Sequence, residues 1–222
     1  MITPDPSSPI LAAGPRREVA SLIDALRAGQ DVPAEANELS DSFLEALGAV
    51  LASPAGTAEI SLSSPFSSSV HELTLSRTGV LRRSRGLAGT EEIGIHPTTV
   101  LPGLLLRLAA VSPVEPLDPA VVLPSTPDGI HGVFDEDPVR RERTWDQLLE
   151  EGAALPRARQ EELEGSDPRA VRLVRHRPEG ERSATVLLLR GRYLVVEDDH
   201  VRGTDPTGAS RSLMSAMLRP SR

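Results

Sequence analysis

The sequence predicts an α+β protein with a central antiparallel sheet, built from two pseudo-twofold-related meander-plus-helix halves and flanked by helical bundles. Alternating apolar and polar runs, typical of half-buried strands, surround tight turns at Gly79 and Gly191. Each set of strands is followed by a helix that begins close to a proline, Pro97 in the first half and Pro206 in the second. This repeated order indicates an internal duplication. The alternative is that two unrelated meander-plus-helix units share the order by chance.

The composition narrows the class of protein. The chain has 222 residues, of which 39% are hydrophobic and 2% aromatic, so we expect one sizeable core of Leu, Val, Ala and Ile. All basic residues are Arg, and the net charge of -8 argues against a nucleic-acid-binding protein, which needs a basic patch. The absence of Cys excludes disulfides, Cys-zinc sites and thiol catalysis.

The apolar segments are too short for a membrane span. The run at 100–111 is interrupted by Pro102 and Arg107, and the N-terminal residues lack a basic stretch followed by a long apolar one. We therefore expect a soluble cytoplasmic protein without membrane insertion.

The pattern divides the chain into four segments, all within a single compact domain. Four Pro residues and few large apolar groups predict a flexible N-terminal lead at 1–15. The first α+β half covers 16–111, and the second covers 138–222. Between them, the Pro-rich stretch 112–137 is predicted to be an irregular connecting loop.

In the first half, apolar residues at helical spacing predict two helices, at 16–30 and at 40–52, with Ser40 as the N-cap of the second. The predicted elements that follow are a turn at 53–56, strands at 58–63, 70–76 and 80–83, a loop at 87–89, an extended piece at 91–95, and a helix from Thr98 or Thr99 to Val111.

In the second half, a helix at 138–152 is predicted to bury Trp145, Leu148 and Leu149, and residues 155–163 are predicted to add a turn or two of helix. The predicted elements after it are strands at 170–175, 185–189 and 192–197, a turn at 197–203, and a final helix capped by Thr204 or Asp205 with Leu213, Met214 and Met217 buried.

No catalytic or metal-binding signature stands out. The five His residues show no zinc spacing, and Asp198-Asp199-His200 is best explained as a solvated turn. No Gly-x-Ser-x-Gly elbow occurs, and a phosphate loop of the Gly-Lys type is impossible without Lys. Gly79 and Gly191 are explained as turn residues that need positive φ. We therefore expect no catalytic residue, no cofactor and no metal, and predict that the chain is not an enzyme.

Short motifs in both halves resemble the EspG family of ESX (type VII) secretion-associated proteins of actinobacteria. The motifs are Gly-Arg-Tyr-Leu-Val at 191–195, Thr-Asp-Pro at 204–206 before a Leu/Met helix, and His-Pro-Thr-Thr-Val-Leu-Pro-Gly-Leu-Leu at 96–105. The chain departs from the family by being shorter, by lacking a Leu-Trp pair in the first helix, and by having Asp-Pro-Arg-Ala at 167–170 where a Gly-Gln-x-Gly is common.

The resemblance implies a two-half α+β chaperone of the cytosol. It implies that the chain holds helical-hairpin secretion substrates, PE/PPE-like or WXG-like, and keeps them soluble for the secretion machine. It also implies partners that are helical secreted proteins, with no nucleic acid and a possible homodimer. The alternatives are a regulatory or toxin-neutralising binding protein and, in a different class, a small-molecule hydrolase or transferase that uses 112–137 as a lid.

Position alone suggests which residues contact a partner. The candidates are exposed side chains of the last strands and the densest basic cluster of the first half. They are Arg190, Arg192 and Glu197, together with Arg82, Arg83 and Arg85.

Overall fold

The computed structural model describes residues 1–85, 89–156, 158, 167–178 and 180–218. These residues form six α-helices and eleven β-strands. The helices are α1 (Arg16–Arg27), α2 (Asp41–Ala52), α3 (Leu101–Leu108), α4 (Pro127–His131), α5 (Pro138–Gly152) and α6 (Pro206–Leu218). The strands are β1 (Thr3–Asp5), β2 (Ser8–Pro15), β3 (Pro54–Ser63), β4 (Ser68–Ser76), β5 (Val80–Arg85), β6 (Thr90–His96), β7 (Val122–Leu123), β8 (Arg169–Arg177), β9 (Gly180–Leu189), β10 (Arg192–Val196) and β11 (Val201–Thr204).

The strands form one antiparallel sheet, in the order β1-β2-β6-β5-β4-β3-β8-β9-β10-β11-β7. This confirms the predicted α+β class and the central antiparallel sheet. The pseudo-twofold relation between the halves stays a prediction. Among the described helices, none combines the length and the apolar character that crossing a bilayer requires.

The chain divides into two compact units that interleave along the sequence. Unit 1 comprises Met1–Glu59, Ser69–Leu104 and Arg175–Gly180, whereas unit 2 comprises Ile60–Ser68, Leu105–Val174 and Glu181–Arg222. The chain passes between the units at five points, which lie within β3, at the start of β4, within α3, within β8 and at the start of β9. The stretch 112–137, predicted to connect two halves, belongs to unit 2.

Unit 1 is built around the apolar faces of α1 and α2. Their buried side chains pack with those of β5 and β6, including Leu22, Leu47, Leu81 and Ile93, each at most 1% exposed. Burial of each such side chain stabilises the fold by about 1.5–3 kcal/mol. The predicted N-cap is confirmed, since Ser40 Oγ accepts a hydrogen bond from Phe43 N at 3.3 Å.

The expectation of a flexible lead at 1–15 is wrong, because this segment forms β1 and β2. Ile2 is fully buried, and its N–H donates to Glu35 O at 2.7 Å. β2 pairs with β6, with Leu11 opposite Gly94. The four prolines led to the prediction of a lead without strands. Pro is nevertheless tolerated near strand ends and in edge strands, where a ladder N–H is not needed.

Unit 2 is organised around α5 and the strands β8 to β11. Trp145 and Leu148 are each 1% exposed and pack with Leu187, Leu194 and the other members of the core cluster. Their predicted burial is confirmed. Leu149 is 37% exposed, so its predicted burial is wrong. It lies one residue beyond Leu148, which turns it about 100° away from the buried stripe of a helix with 3.6 residues per turn.

The Pro-rich stretch is more ordered than an irregular connection. It contains β7, α4 and a 3-10 turn at Gly132–Phe134. Leu117 N donates to Thr204 O at 3.1 Å, and Gly203 N donates to Val121 O at 2.8 Å, so this stretch supplies partners to the backbone of β11. Gly203 permits the approach, since a Cβ there would lie 2.4 Å from Asp118 O.

The C-terminal hairpin follows the prediction, and the residues after it follow it in part. Arg190 (φ 50) and Gly191 (φ 68) are both left-handed, the pattern of a type I′ turn between β9 and β10. The predicted turn at 197–203 is shorter, because β11 begins at Val201. Asp205 Oδ1 accepts from Gly208 N at 2.5 Å, which confirms Asp205 as the cap of α6. Met214 is only partly buried, unlike Leu213 and Met217.

Five smaller predictions are corrected or lie outside the described residues. The residues predicted to form a turn at 53–56 belong to β3 from Pro54 onwards. The helix predicted to run from Thr98 or Thr99 to Val111 begins with a 3-10 turn at Thr98–Val100, continues as α3 and ends at Leu108. Gly79 is not at positive φ; instead, a Cβ there would lie 3.1 Å from His96 O. Leu155 and Pro156 are not helical, and of 157–163 only Ala158 is described. In the predicted loop at 87–89, only Gly89 is described.

Candidate protein-binding surface

The basic cluster of the first half is neutralised by its neighbours in the sheet. Arg83 Nε contacts Glu91 Oε1 at 2.5 Å, and Arg83 Nη1 contacts Glu72 Oε2 at 3.2 Å. Arg85 also pairs with Glu72, and Arg82 pairs with a carboxylate of β6. The carboxylates come from β4 and β6, which flank β5 in the sheet. The three arginines therefore do not form a basic patch, and their role in partner binding stays a prediction.

The candidates of the last strands also have structural contacts. Arg190 Nη1 donates to Leu155 O at 3.2 Å and to Ala153 O, two carbonyls of the segment that follows α5. Arg192 contacts Glu115 Oε2 at 2.8 Å, and its side chain is 11% exposed. These arginines hold loops of unit 2 in place, so the first role that the structure assigns to them is structural.

Glu197 lies in a more open ion-pair group. Arg202 donates to Glu197 Oε1 at 2.8 and 2.6 Å through Nε and Nη2, and these hydrogen bonds lower the pKa of Glu197. His200 Nε2 lies 3.1 Å from Glu197 Oε2. The Glu197 side chain is 39% exposed, which leaves it accessible at the mouth of a groove.

That groove has a volume of about 660 Å³ and runs along α6. Its described lining includes Glu197, which follows β10, Arg202 from β11, and Arg211, Ser212 and Ser215 from the helix. No His lies in the described lining, so the two serines have no neighbouring imidazole base there. The lining thus offers no support for the hydrolase alternative, while the expectation that the chain is not an enzyme stays a prediction.

One Ser–His contact lies elsewhere, in unit 1. His71 Nδ1 is 2.8 Å from Ser84 Oγ, and Arg82 Nη1 also donates to that hydroxyl at 2.8 Å. His71 and Ser84 are directly opposite each other on β4 and β5. Burial lowers the pKa of His71, and the charge of Arg82 lowers it further. Neither residue lines the grooves described for this fold, so we interpret the contact as a cross-strand pair.

The most exposed large apolar side chain of the described residues is Phe66, which is 95% exposed. It lies in the turn between β3 and β4. That turn is closed by hydrogen bonds from Ser64 N to Ser67 O at 2.8 Å and from Ser67 N to Ser64 Oγ at 3.0 Å. Phe66 N also donates to Ser64 Oγ at 3.2 Å. The backbone is therefore fixed while the aromatic ring projects into solvent.

The base of this turn is anchored in the core of unit 2. Ser63 Oγ donates to Val133 O at 2.5 Å and accepts from Trp145 Nε1 at 3.0 Å. The sequence analysis missed Phe66 because it assigned no role to the residues between the strands predicted at 58–63 and 70–76. The available signal was a single aromatic residue among serines, in a chain with only three Phe.

Comparisons with known proteins bear on the fold. The scan against protein-family models finds no match, and the search of curated proteins finds none. Among solved structures, the chain is similar to the Mycobacterium tuberculosis type VII secretion system chaperone EspG5 in complex with the PE25-PPE41 dimer. The TM-score is 0.53, with 11% sequence identity over 96% of this chain and 98% of that chain.

The fold is EspG-like. At 11% identity the likeness concerns the fold alone, and it extends over nearly the whole of both chains. The resemblance suggested by the motifs at 96–105 and 191–206 is therefore supported at the level of fold, while membership of the family stays a prediction.

Proposed function

We propose that this EspG-like protein is a cytosolic chaperone or adaptor of an ESX (type VII) secretion system. It binds helical-hairpin secretion substrates of the PE/PPE-like or WXG-like kind and keeps them soluble before export. The observation that carries the proposal is Phe66, an almost fully exposed ring on a fixed turn. The likeness to a chaperone solved with a PE25-PPE41 dimer supports the choice of partner.

The physical argument is that covering the Phe66 ring with a partner removes a large apolar area from water, which favours binding. An aromatic side chain buries about 150–250 Å² when covered. At about 25 cal/mol per Å², that area corresponds to roughly 4–6 kcal/mol before the costs of association. The turn is already held by Ser64, so little backbone freedom is lost on binding. An apolar ring on a preorganised turn suits the apolar seam of a two-helix tip.

Co-expression tests the proposal. The full chain carrying an affinity tag is co-expressed with the PE/PPE-like or WXG-like proteins encoded beside it, and the captured proteins are identified. We expect a stable complex with at least one of them. Recovery of none of these proteins, from cells in which they are expressed, would refute the chaperone function.

A second step tests the role of the ring. Phe66→Ala should weaken the complex at least about tenfold, since truncated aromatic hot spots cost about 2 kcal/mol or more. It should leave the melting temperature of the free protein unchanged, because the ring makes few contacts within the chain. Val122→Ala is the matched control, since Val122 is also exposed, at 53%, and lies on β7. Equal weakening by both variants would remove Phe66 from the interface.

A further inference from the structure

The groove along α6, within unit 2, is preformed, because one of its walls is held by hydrogen bonds to the sheet. Pro116, Leu117 and Pro119 of the Pro-rich stretch form this wall. Leu117 N donates to Thr204 O at 3.1 Å, and Arg192 Nη1 donates to Pro116 O at 2.6 Å. The volume of about 660 Å³ lies within the range of about 300–1,000 Å³ that is typical of small-molecule sites. The groove therefore suits a small ligand in its size and in its fixed shape.

The carboxylates of this groove are already engaged by the chain itself. Glu197 accepts two hydrogen bonds from Arg202 and also contacts His200. Asp205 accepts a hydrogen bond from Gly208 N as the cap of α6. Each carboxylate of the described lining thus has a donor of the same chain beside it, so a ligand is not needed to neutralise it.

The wall formed by α6 carries donors without an acceptor. The side chains of Arg211, Ser212 and Ser215 line the groove and make no hydrogen bond or ion pair within the described part of the chain. Arg211 and Ser215 are four residues apart on the helix, and Ser212 and Ser215 are three apart. Side chains at these spacings are neighbours, with about 5–6 Å between their Cβ atoms. The helix therefore presents one guanidinium and two hydroxyls together to a ligand.

This set of donors favours a phosphate monoester over a carboxylate. A guanidinium donates two parallel hydrogen bonds, which engage both oxygens of a carboxylate. A phosphate monoester has three terminal oxygens and a charge of about −1.5 to −2 at pH 7, so it accepts from the guanidinium and from both hydroxyls. Leu117 and Val195 supply the buried apolar part of the lining, against which the organic group of the ester packs.

We propose that the groove along α6 binds a small phosphate monoester, with the phosphate held by Arg211, Ser212 and Ser215. The assignment does not rest on the proposed chaperone function, because none of these residues belongs to the turn that carries Phe66. A chain that captures a helical substrate and binds no phosphate ester would overturn this site alone. A chain that binds the ester and captures no substrate would overturn the chaperone function alone.

The test titrates the full chain with phenyl phosphate and measures affinity by calorimetry and backbone amide shifts by NMR. We expect saturable binding that is tighter than that of inorganic phosphate, with amide shifts concentrated on α6. Arg211→Gln should weaken binding at least about tenfold, and Ser212→Ala or Ser215→Ala about threefold, since each removes a hydrogen bond to a charged group. The matched control is Arg143→Gln, which removes the same charge from an exposed position on α5 and should change affinity less than about twofold.

Three results would overturn the assignment. They are no saturable binding of phenyl phosphate, equal weakening by Arg211→Gln and Arg143→Gln, and binding of benzoate as tight as that of phenyl phosphate, which would indicate a carboxylate ligand. The variants should fold, because Arg211 is exposed and Ala is a better helix former than Ser. If Arg211→Gln does not fold, Arg211→Lys decides the matter. It keeps the charge and loses the planar fork, so weaker binding supports the site and unchanged affinity refutes it.

Discussion

Trp145 Nε1 donates a hydrogen bond to Ser63 Oγ at 3.0 Å, which joins the middle of α5 to the last residue of β3. Both side chains are buried, at 1% and 2% exposure. The same hydroxyl donates to Val133 O, so one small polar group satisfies two buried partners. The exposed turn that carries Phe66 therefore begins from a fixed point in the core.

Removing this hydroxyl should destabilise the protein. Ser63→Ala leaves the indole N–H and the carbonyl of Val133 without their partner, and each unsatisfied buried group costs about 1–3 kcal/mol. We expect the free energy of unfolding, measured by urea denaturation, to fall by about 2–4 kcal/mol. The control is Ser68→Ala at an exposed position of β4, which should change it by less than about 0.5 kcal/mol. Equal effects would show that the hydrogen bond to Trp145 contributes nothing.

The two ion pairs of β6 should differ in strength. Glu91 is 1% exposed and pairs with Arg83, whereas the side chain of Glu92 is 43% exposed and pairs with Arg82. Breaking a buried pair by removing one partner costs about 3–5 kcal/mol, and an exposed pair contributes about 0–1 kcal/mol. Denaturation of Glu91→Ala and Glu92→Ala should show this order. The reverse order would contradict the burial of Glu91 as the cause.

Stability should depend on pH through His71. Burial lowers its pKa below the ordinary value of 6.5, so the unfolded chain binds a proton more readily than the folded one. Stability is therefore full above the unfolded pKa and falls as pH drops through it towards the folded pKa. Thermal melts across this window should show a loss that His71→Asn reduces. His131→Asn, at an exposed position, is the control and should leave the pH profile unchanged. A melting temperature that rises on acidification through this window would contradict the prediction.

Two glycines should respond to alanine in opposite directions. At Gly203, a Cβ would lie 2.4 Å from Asp118 O, so Gly203→Ala must displace the Pro-rich stretch and should cost at least about 1–3 kcal/mol. At Gly103, within α3, a Cβ meets nothing within 4 Å. Gly103→Ala should stabilise the protein by about 0.5–1 kcal/mol. Differential scanning calorimetry of the two variants would check both signs, and a stable Gly203→Ala would argue against the close approach.

The elements that could be predicted are those whose signal is local. Period-2 alternation around Gly191 and the cap at Asp205 both act within a few residues, and both are present in the structure. β1, β2 and β7 could not be predicted, because their pairing depends on distant partners such as Gly94 and Val201. β1 and β2 also contain prolines, which argue for a loop, and β7 has only two residues.

The candidate site was harder to predict than the fold. Arg82, Arg83 and Arg85 read as a basic cluster in sequence, and only the register of β4, β5 and β6 reveals their carboxylate partners. Exposure is likewise a property of the folded chain. Phe43, at 5% exposure, lies on the apolar face of α2, whereas the local signal at Phe66, at 95% exposure, was only its position among serines.

The hydrogen bonds between residues 117–121 and β11 have a consequence for behaviour at high concentration. An edge strand whose backbone groups are unpaired is a template on which strands of other chains add, and such addition leads to insoluble fibrils. Here the margin beside Gly203 and Thr204 is already occupied by the protein's own backbone. At the opposite margin, β1 is three residues long and carries Pro4. Neither edge of the sheet therefore offers a long, unpaired strand on which further copies of the protein could add.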